Sequence, residues 1–338
     1  MTYNRILIIR IDRIGDVLLS TPVIEAARKA NPKAYIAFMT RPFTKDIVID
    51  NPYLDEVILY DKDGIHHSVF GTVLFAQGIK KMKFDMALIL HPSNRANWIA
   101  FLSGIPVRVG HDKKSPWLLT NKLPYLNPQG LKHETEYILD VAAAAGINYP
   151  NLKPRPLMPV SRQAEDYIAK FLADNAVEDK DRLAAIHPSA SCPSKTWPYD
   201  RFAKVADALI EQTGCKVIIE DVKFARNVQD NMKHKSIILQ GASLQQAAAL
   251  FKRCKFLIST DNGLAHIAAA VGTPCISIFG RKQAGLSPIR WKPLGQNVVV
   301  LHKDVGCIDC LAHNCKKHFA CLEAISVDEV LGAAKKFM

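Results

Sequence analysis

Short apolar runs, each followed by a longer stretch with helical spacing, recur along the whole chain, and this alternation constrains the fold more than any other feature. "ILII" (6–9), "AYIAFMT", "EVILYD" and "MALILH" are strand-like, whereas "VIEAARKAN" and "RANWIAFLSG" carry helical patterns. A run that is apolar at every position suits a strand covered on both faces, as in a parallel sheet. Strands that alternate with helices imply βα units.

The alternation pauses at "NYPNLKPRPLMPVS" (148–161), whose prolines and weak periodicity are those of an interdomain linker. It then resumes with "LAAIHPS", "YDRFAKVADALIEQTG", "KVIIE", "SIILQG", "SLQQAAALFKRC", "KFLIST", "DNGLAHIAAAVG" and "PCISIFG". Gly214 stops one of these helices, Ser243 opens another as its N-cap, and Gly272 closes a third. The expected architecture is α/β, with two Rossmann-like, doubly wound parallel-sheet domains facing across a cleft. They comprise residues 1–155 and 156–338.

A length of 338 residues accommodates two such domains, and 49% hydrophobic with 22% charged residues is the composition of a globular protein. No apolar run reaches membrane-spanning length, and Arg10 interrupts the first run before it resembles a signal peptide, so a cytoplasmic location is expected. The formal charge of +12 favours anionic partners. Nucleic acid is not expected among them, because the basic residues are scattered and no recognised binding motif or aromatic platform accompanies them.

Three stretches can hold chemistry. In "ILIIRIDRIGDVLLSTP" (6–22) a buried strand runs into Arg10, Asp12, Arg13 and Asp16 at the sheet edge where open α/β folds place ligands. In "FLISTDNGLAHIAAAVGTP" (256–274) a strand passes through Asp261, Asn262 and Gly263 into a helix whose free amides could bind a diphosphate, with His266 one turn along. Asp261 serves equally as a helix N-cap there, and His266 as a core imidazole. In "IHPSASCPSKTWPYDRF" (186–202), Ser189, Ser191 and Ser194 could cradle phosphate oxygens, and Lys195 could act as a point charge on a leaving group. Trp197 and Pro198 would anchor this loop to the next helix.

Together these stretches, and "FDMALILHPSNRANWIAFLSGIPVRVGHD" (84–112), resemble the signatures of glycosyltransferase family nine, the ADP-heptose:lipopolysaccharide heptosyltransferases, in the same order and over most of the chain. The resemblance implies a GT-B fold whose first domain binds the acceptor and whose second binds a nucleotide-sugar donor. It implies inverting transfer of a heptose from ADP-heptose to a lipopolysaccharide inner-core acceptor. The aspartate of the Gly15-Asp16 pair matches the family's catalytic base, Lys195 the lysine of its "PSK" segment, and Asp261, Gly263 and His266 the acid, glycine and histidine of "DTGLMH". Lys195, Ser189, Ser191 and the amides around Asn262 and Gly263 would neutralise the leaving diphosphate, with no cofactor and no catalytic metal. An anionic glycolipid acceptor would meet Gly15, Arg95 and Lys113, with Arg41, Lys45, Arg108 and Lys114 nearby, and peripheral contact with the cytoplasmic face of the inner membrane would follow. A related transferase using another nucleotide sugar, and a non-catalytic binder of phosphoglycans or nucleotide sugars, are the alternatives.

The chain departs from the family pattern in three places. Asn262 replaces the usual threonine, Glu220 and Asp221 occupy the positions of a glycine pair, and Arg281-Lys282 stand where small residues or proline are usual. Separately, Cys307, Cys310, Cys315 and Cys321 form a C-x2-C-x4-C-x5-C cluster that could close a structural zinc site, although its second half lacks the usual ribbon spacing. Reduced thiols or a labile disulfide are the other readings.

Overall fold

The structure, a computed structural model, describes residues 3–148, 154–221 and 223–338. The chain divides into two compact units, Met1–Pro128 with Lys132–Pro159, and Gln129–Leu131 with Val160–Met338. The division falls in the proline-rich segment, of which residues 149–153 lie outside the described residues.

The first unit is a parallel sheet of β1 (Arg5–Ile9), β2 (Tyr35–Thr40), β3 (Glu56–Leu59), β4 (Met86–Ile89), β5 (Val107–His111) and β6 (Asn121–Leu123) in the order β3-β2-β1-β4-β5-β6. Ile6 pairs in register with Ile36 on one side and Met86 on the other. Ile6 to Ile9 are at most 1% exposed, which explains their uninterrupted apolar character: helices cover both faces. The second unit repeats the plan with β7 (Leu183–His187), β8 (Lys216–Glu220), β9 (Ile237–Leu239), β10 (Phe256–Thr260), β11 (Cys275–Phe279) and β12 (Val298–His302), ordered β12-β11-β10-β7-β8-β9. Both orders are those of a doubly wound nucleotide-binding fold. The strand order reverses between β1 and β4 and again between β7 and β10, which are the points where such sheets open a crevice for ligands.

The chain after β1 forms two helices, Ile14–Leu18 and Thr21–Ala30. Pro22 has no N–H to give, and its ring would collide with the Leu18 carbonyl if the helix ran on; the Ser20 and Thr21 hydroxyls instead donate to Asp16 O (2.7 Å) and Leu18 O (2.8 Å). The helix after β10, Gly263–Ala270, is capped by Asn262 and not by Asp261. Elsewhere the sequence reading holds: Gly214 ends its helix in the left-handed region (φ 65°), and Ser243 forms a capping box with Gln246.

Candidate active site

In the first unit the loop after β1 gathers around Arg10, which is 1% exposed. Its Nε lies 2.9 Å from Asp12 Oδ2, its Nη2 lies 2.6 Å from Asp16 Oδ1 and 3.2 Å from Glu134 Oε1, and its Nη1 donates to Leu90 O at 3.1 Å. Burial opposes the guanidinium charge, but the three carboxylates outweigh it and hold its pKa above the ordinary value. Glu134, fully buried in the helix Glu134–Ala144, is a partner that the sequence reading missed, because nothing in its neighbourhood marks it as polar-core. Asp16 sits in the first turn of its short helix with its side chain 19% exposed, so Arg10 fixes the carboxylate while part of it still faces outward. His91, two residues past β4, has its pKa lowered by burial and by Arg10.

Cations crowd the adjoining loop. The pKa of Lys62 is lowered by burial and by Arg41, Arg95 and Arg13, and Asp12 counters them in part. Arg95 is half-buried, and its guanidinium donates to Lys62 O (2.9 Å) and His67 O (2.6 Å), so its hydrogen bonds shape this loop. Arg41 pairs with Asp63. Lys113 is exposed, with its ammonium 4.8 Å from the Tyr125 ring centroid, and Arg108 is bound to Leu118 O at 2.6 Å. Lys62 itself was not singled out from the sequence, since only the fold brings it beside three arginines.

In the second unit, Lys195 follows β7, Asp261 follows β10 and Arg281 follows β11, all at the carboxyl edge of neighbouring strands. Lys195 Nζ lies 2.9 Å and Arg281 Nη2 lies 2.5 Å from the same oxygen, Asp261 Oδ2, with side-chain exposures of 16%, 7% and 6% for Lys195, Arg281 and Asp261. One carboxylate thus faces two cations, and the trio carries a net positive charge at the switch point, a setting that suits an anion. A methyl group at Gly280 would lie 2.5 Å from Ser194 O; only glycine admits the close approach that brings the Lys195 loop against Arg281. Trp197, fully buried with its Nε1 donating to Ile325 O (3.2 Å) and its ring edge-on to Phe202, anchors that loop as expected.

Several candidate residues are placed differently from the sequence expectation. Asn262 Oδ1 accepts from the amides of Leu264 (2.9 Å) and Ala265 (3.2 Å), and its Nδ2 donates to Ser259 Oγ, Thr260 Oγ1 and Ser189 O. The amide of Asn262 and two of the helix N–H groups expected to meet phosphate are therefore engaged within the protein. Gly263 is the first helical residue and is half-buried, whereas His266 is buried in the same helix (4% exposed). Ser191 is exposed, Ser189 is half-buried, and Ser194 is turned inward, 3.2 Å from His313 Nδ1. Glu220 is buried at the end of β8, where its Oε2 lies 2.8 Å from His187 Nδ1; burial opposes the imidazolium, but Glu220 outweighs it and raises the His187 pKa. Asp221 Oδ1 accepts from the amides of Lys223 and Phe224 at 2.6 and 3.0 Å.

Cys307, Cys310, Cys315 and Cys321 line one cavity of about 500 Å3 together with Lys282 and His302. All four are free thiols, and among the described residues no group of three or more His, Cys, Asp or Glu side chains is arranged to hold a metal ion. Cys310 Sγ accepts the Lys282 amide at 3.3 Å, and Cys315 Sγ accepts that of Phe319 at 3.4 Å.

The fold and these sites have counterparts among known proteins. The model of glycosyltransferase family 9 (heptosyltransferase) matches residues 73–320, well over half of the chain. Lipooligosaccharide heptosyltransferase 2 of Haemophilus ducreyi is 25% identical over 315 residues, covering 88% of each chain. The solved structure of a glycosyltransferase family 9 protein from Veillonella parvula superposes with a TM-score of 0.88 at 26% identity, over 100% of this chain and 98% of that one. That of the E. coli ADP-heptose lps heptosyltransferase II gives 0.81 at 20% identity, over 98% of both chains, a likeness of GT-B fold. Matched over most of its length in sequence and over all of it in backbone, the chain is a member of glycosyltransferase family 9.

Proposed function

We propose that the protein transfers a heptose from ADP-heptose to an anionic inner-core acceptor of lipopolysaccharide, inverting the anomeric centre. The second unit binds the donor and the first binds the acceptor. The observation that carries this reading is the pair of cations on Asp261 at the switch point of the second sheet, which is the chemistry a nucleoside diphosphate requires. Family membership and the names of the relatives support heptose and ADP as the particulars.

In the displacement, the acceptor hydroxyl oxygen bonds to the anomeric carbon while the bond from that carbon to the diphosphate oxygen breaks, and its electron pair leaves with the diphosphate. The hydroxyl proton passes to Asp16, whose carboxylate is held by Arg10 and partly open. Negative charge grows on the departing phosphate, so Lys195 and Arg281 contribute most as the bond breaks. Lys62 and Arg95, together with Lys113 in the loop after β5, are the cations assigned to holding an acidic sugar. A cytoplasmic site of action, with the acceptor presented at the inner membrane, belongs to the same reading; among the described residues no helix is long and apolar enough to cross a membrane.

The test is ADP release from ADP-heptose in the presence and absence of a lipid-linked inner-core acceptor. Release should depend on the acceptor. Asp16→Asn should bind ADP as tightly as the parent while transfer falls by about 100-fold or more, on the scale of losing a general base; near-normal turnover would remove Asp16 from the reaction. Glu220 and Asp221 at the glycine-pair position favour one alternative, a different nucleotide sugar, which would show as release of another nucleoside diphosphate. Tight donor binding with no transfer to any acceptor would identify a non-catalytic binder.

A further inference from the structure

The helix Val69–Lys81 in the first unit presents an apolar ridge to solvent. Ile65, Val69, Phe70 and Leu74 are 79%, 83%, 71% and 55% exposed, values unusual for side chains of this size lying together. Thr72, Ala76 and Ile79 turn inward and are buried, and Phe75 packs against Tyr60 and His66, so the helix is firmly seated and its outward face is a fixed feature. Phe70 and Leu74 are one turn apart, and the same face continues to Lys81. The helix contains no acidic residue and ends in Lys80 and Lys81, both exposed. The loop at its other end holds Lys62, crowded by Arg41 and Arg95.

An apolar ridge with cations at both ends and no carboxylate along the helix matches the boundary between acyl chains and anionic headgroups. We propose that this face docks the protein on an anionic lipid bilayer, with Ile65, Val69, Phe70 and Leu74 entering the headgroup boundary and Lys80 and Lys81 pairing with lipid phosphates. The same loop carries Lys62 toward the Asp12–Arg13 segment, so a glycolipid held here would have its sugars near the loop that bears Asp16 while its acyl chains stayed in the membrane. This last point rests on the reading of the acceptor as a glycolipid; the docking itself does not.

The experiment is co-flotation of the full chain with vesicles of phosphatidylethanolamine and phosphatidylglycerol, or of phosphatidylcholine alone, without donor or acceptor. Binding is expected to the first and to be weak on the second. Phe70→Asp with Leu74→Asp should reduce it at least about tenfold, and Lys80→Glu with Lys81→Glu should remove the preference for anionic lipid. The substituted side chains are exposed, so unchanged circular dichroism and melting temperature should accompany the loss. Turnover on a deacylated, water-soluble acceptor should be unaffected. Equal flotation of parent and Phe70→Asp/Leu74→Asp, or no binding of the parent to either vesicle, overturns the proposal. So does a dimer in light scattering that this variant converts to monomer, since the ridge would then pair with a second copy. Because flotation uses neither substrate, its failure is separate from any failure of the transferase reading.

Discussion

Arg10 and Arg281 show how one charged residue acquires its role from the carboxylates it meets. Arg10 is enclosed by Asp12, Asp16 and Glu134, and removing it would leave three acids around an empty site. Arg10→Ala should therefore lower unfolding free energy by about 3–5 kcal/mol, the cost of breaking a buried ion pair from one side, and a urea titration measures it. Arg281 is the reverse case, because Asp261 is already paired with Lys195. Arg281→Gln should fold normally yet bind ADP about tenfold more weakly by calorimetry, the scale of one charge-assisted hydrogen bond, with Arg281→Lys recovering part of the loss. Unchanged affinity in Arg281→Gln would leave that guanidinium a purely structural role. Arg281 was visible in the sequence as a departure from the family pattern, but its partner was not, since Asp261 lies twenty residues away, past the end of another strand.

At the level of elements, the ends of adjacent strands do the work. His187 closes β7 and Glu220 closes β8, and the parallel register sets imidazole and carboxylate side by side in the interior. The His187 pKa is raised on folding, so the stability this pair contributes is fully present below the unfolded-state value of about 6.5. It is lost as pH rises through the raised folded-state value. Thermal melts of the parent should thus lose stability across that interval relative to Glu220→Gln, whose profile there should be flatter; parallel profiles would dissociate the pair from pH-dependent stability. The helix Gly263–Ala270 teaches a related lesson. Its start after β10 was legible, yet the competition between Asn262 and a ligand for its amides was settled by short-range geometry that spacing alone does not convey.

Across the whole molecule, the eight cysteines divide by environment. Burial pushes Cys254 and Cys275 up to about 12, whereas Cys310 is lowered because the amides of Ala312, Lys282 and Gln283 outweigh its own partial burial. Brief iodoacetamide treatment of the native protein, mapped by mass spectrometry, should label Cys310 well before Cys254 or Cys275. The broad plan was written in local patterns: buried strands declared themselves by unbroken apolar runs, helices by their period and caps, and the sites by charged residues just past strand ends. The edge strands β6 and β12 were not, for β6 is only "NKL" and β12 is half-buried along its length. By itself the sequence determined two doubly wound units and the segments that can bear chemistry, because strand burial, capping and turn formation depend on neighbouring residues. Only the tertiary structure decided that Glu134 joins Arg10, that Arg281 and Lys195 share Asp261, and that Phe70 and Leu74 face outward. Those outcomes depend on which strand ends are packed side by side, and contacts across such sequence distances leave no periodic trace in the chain.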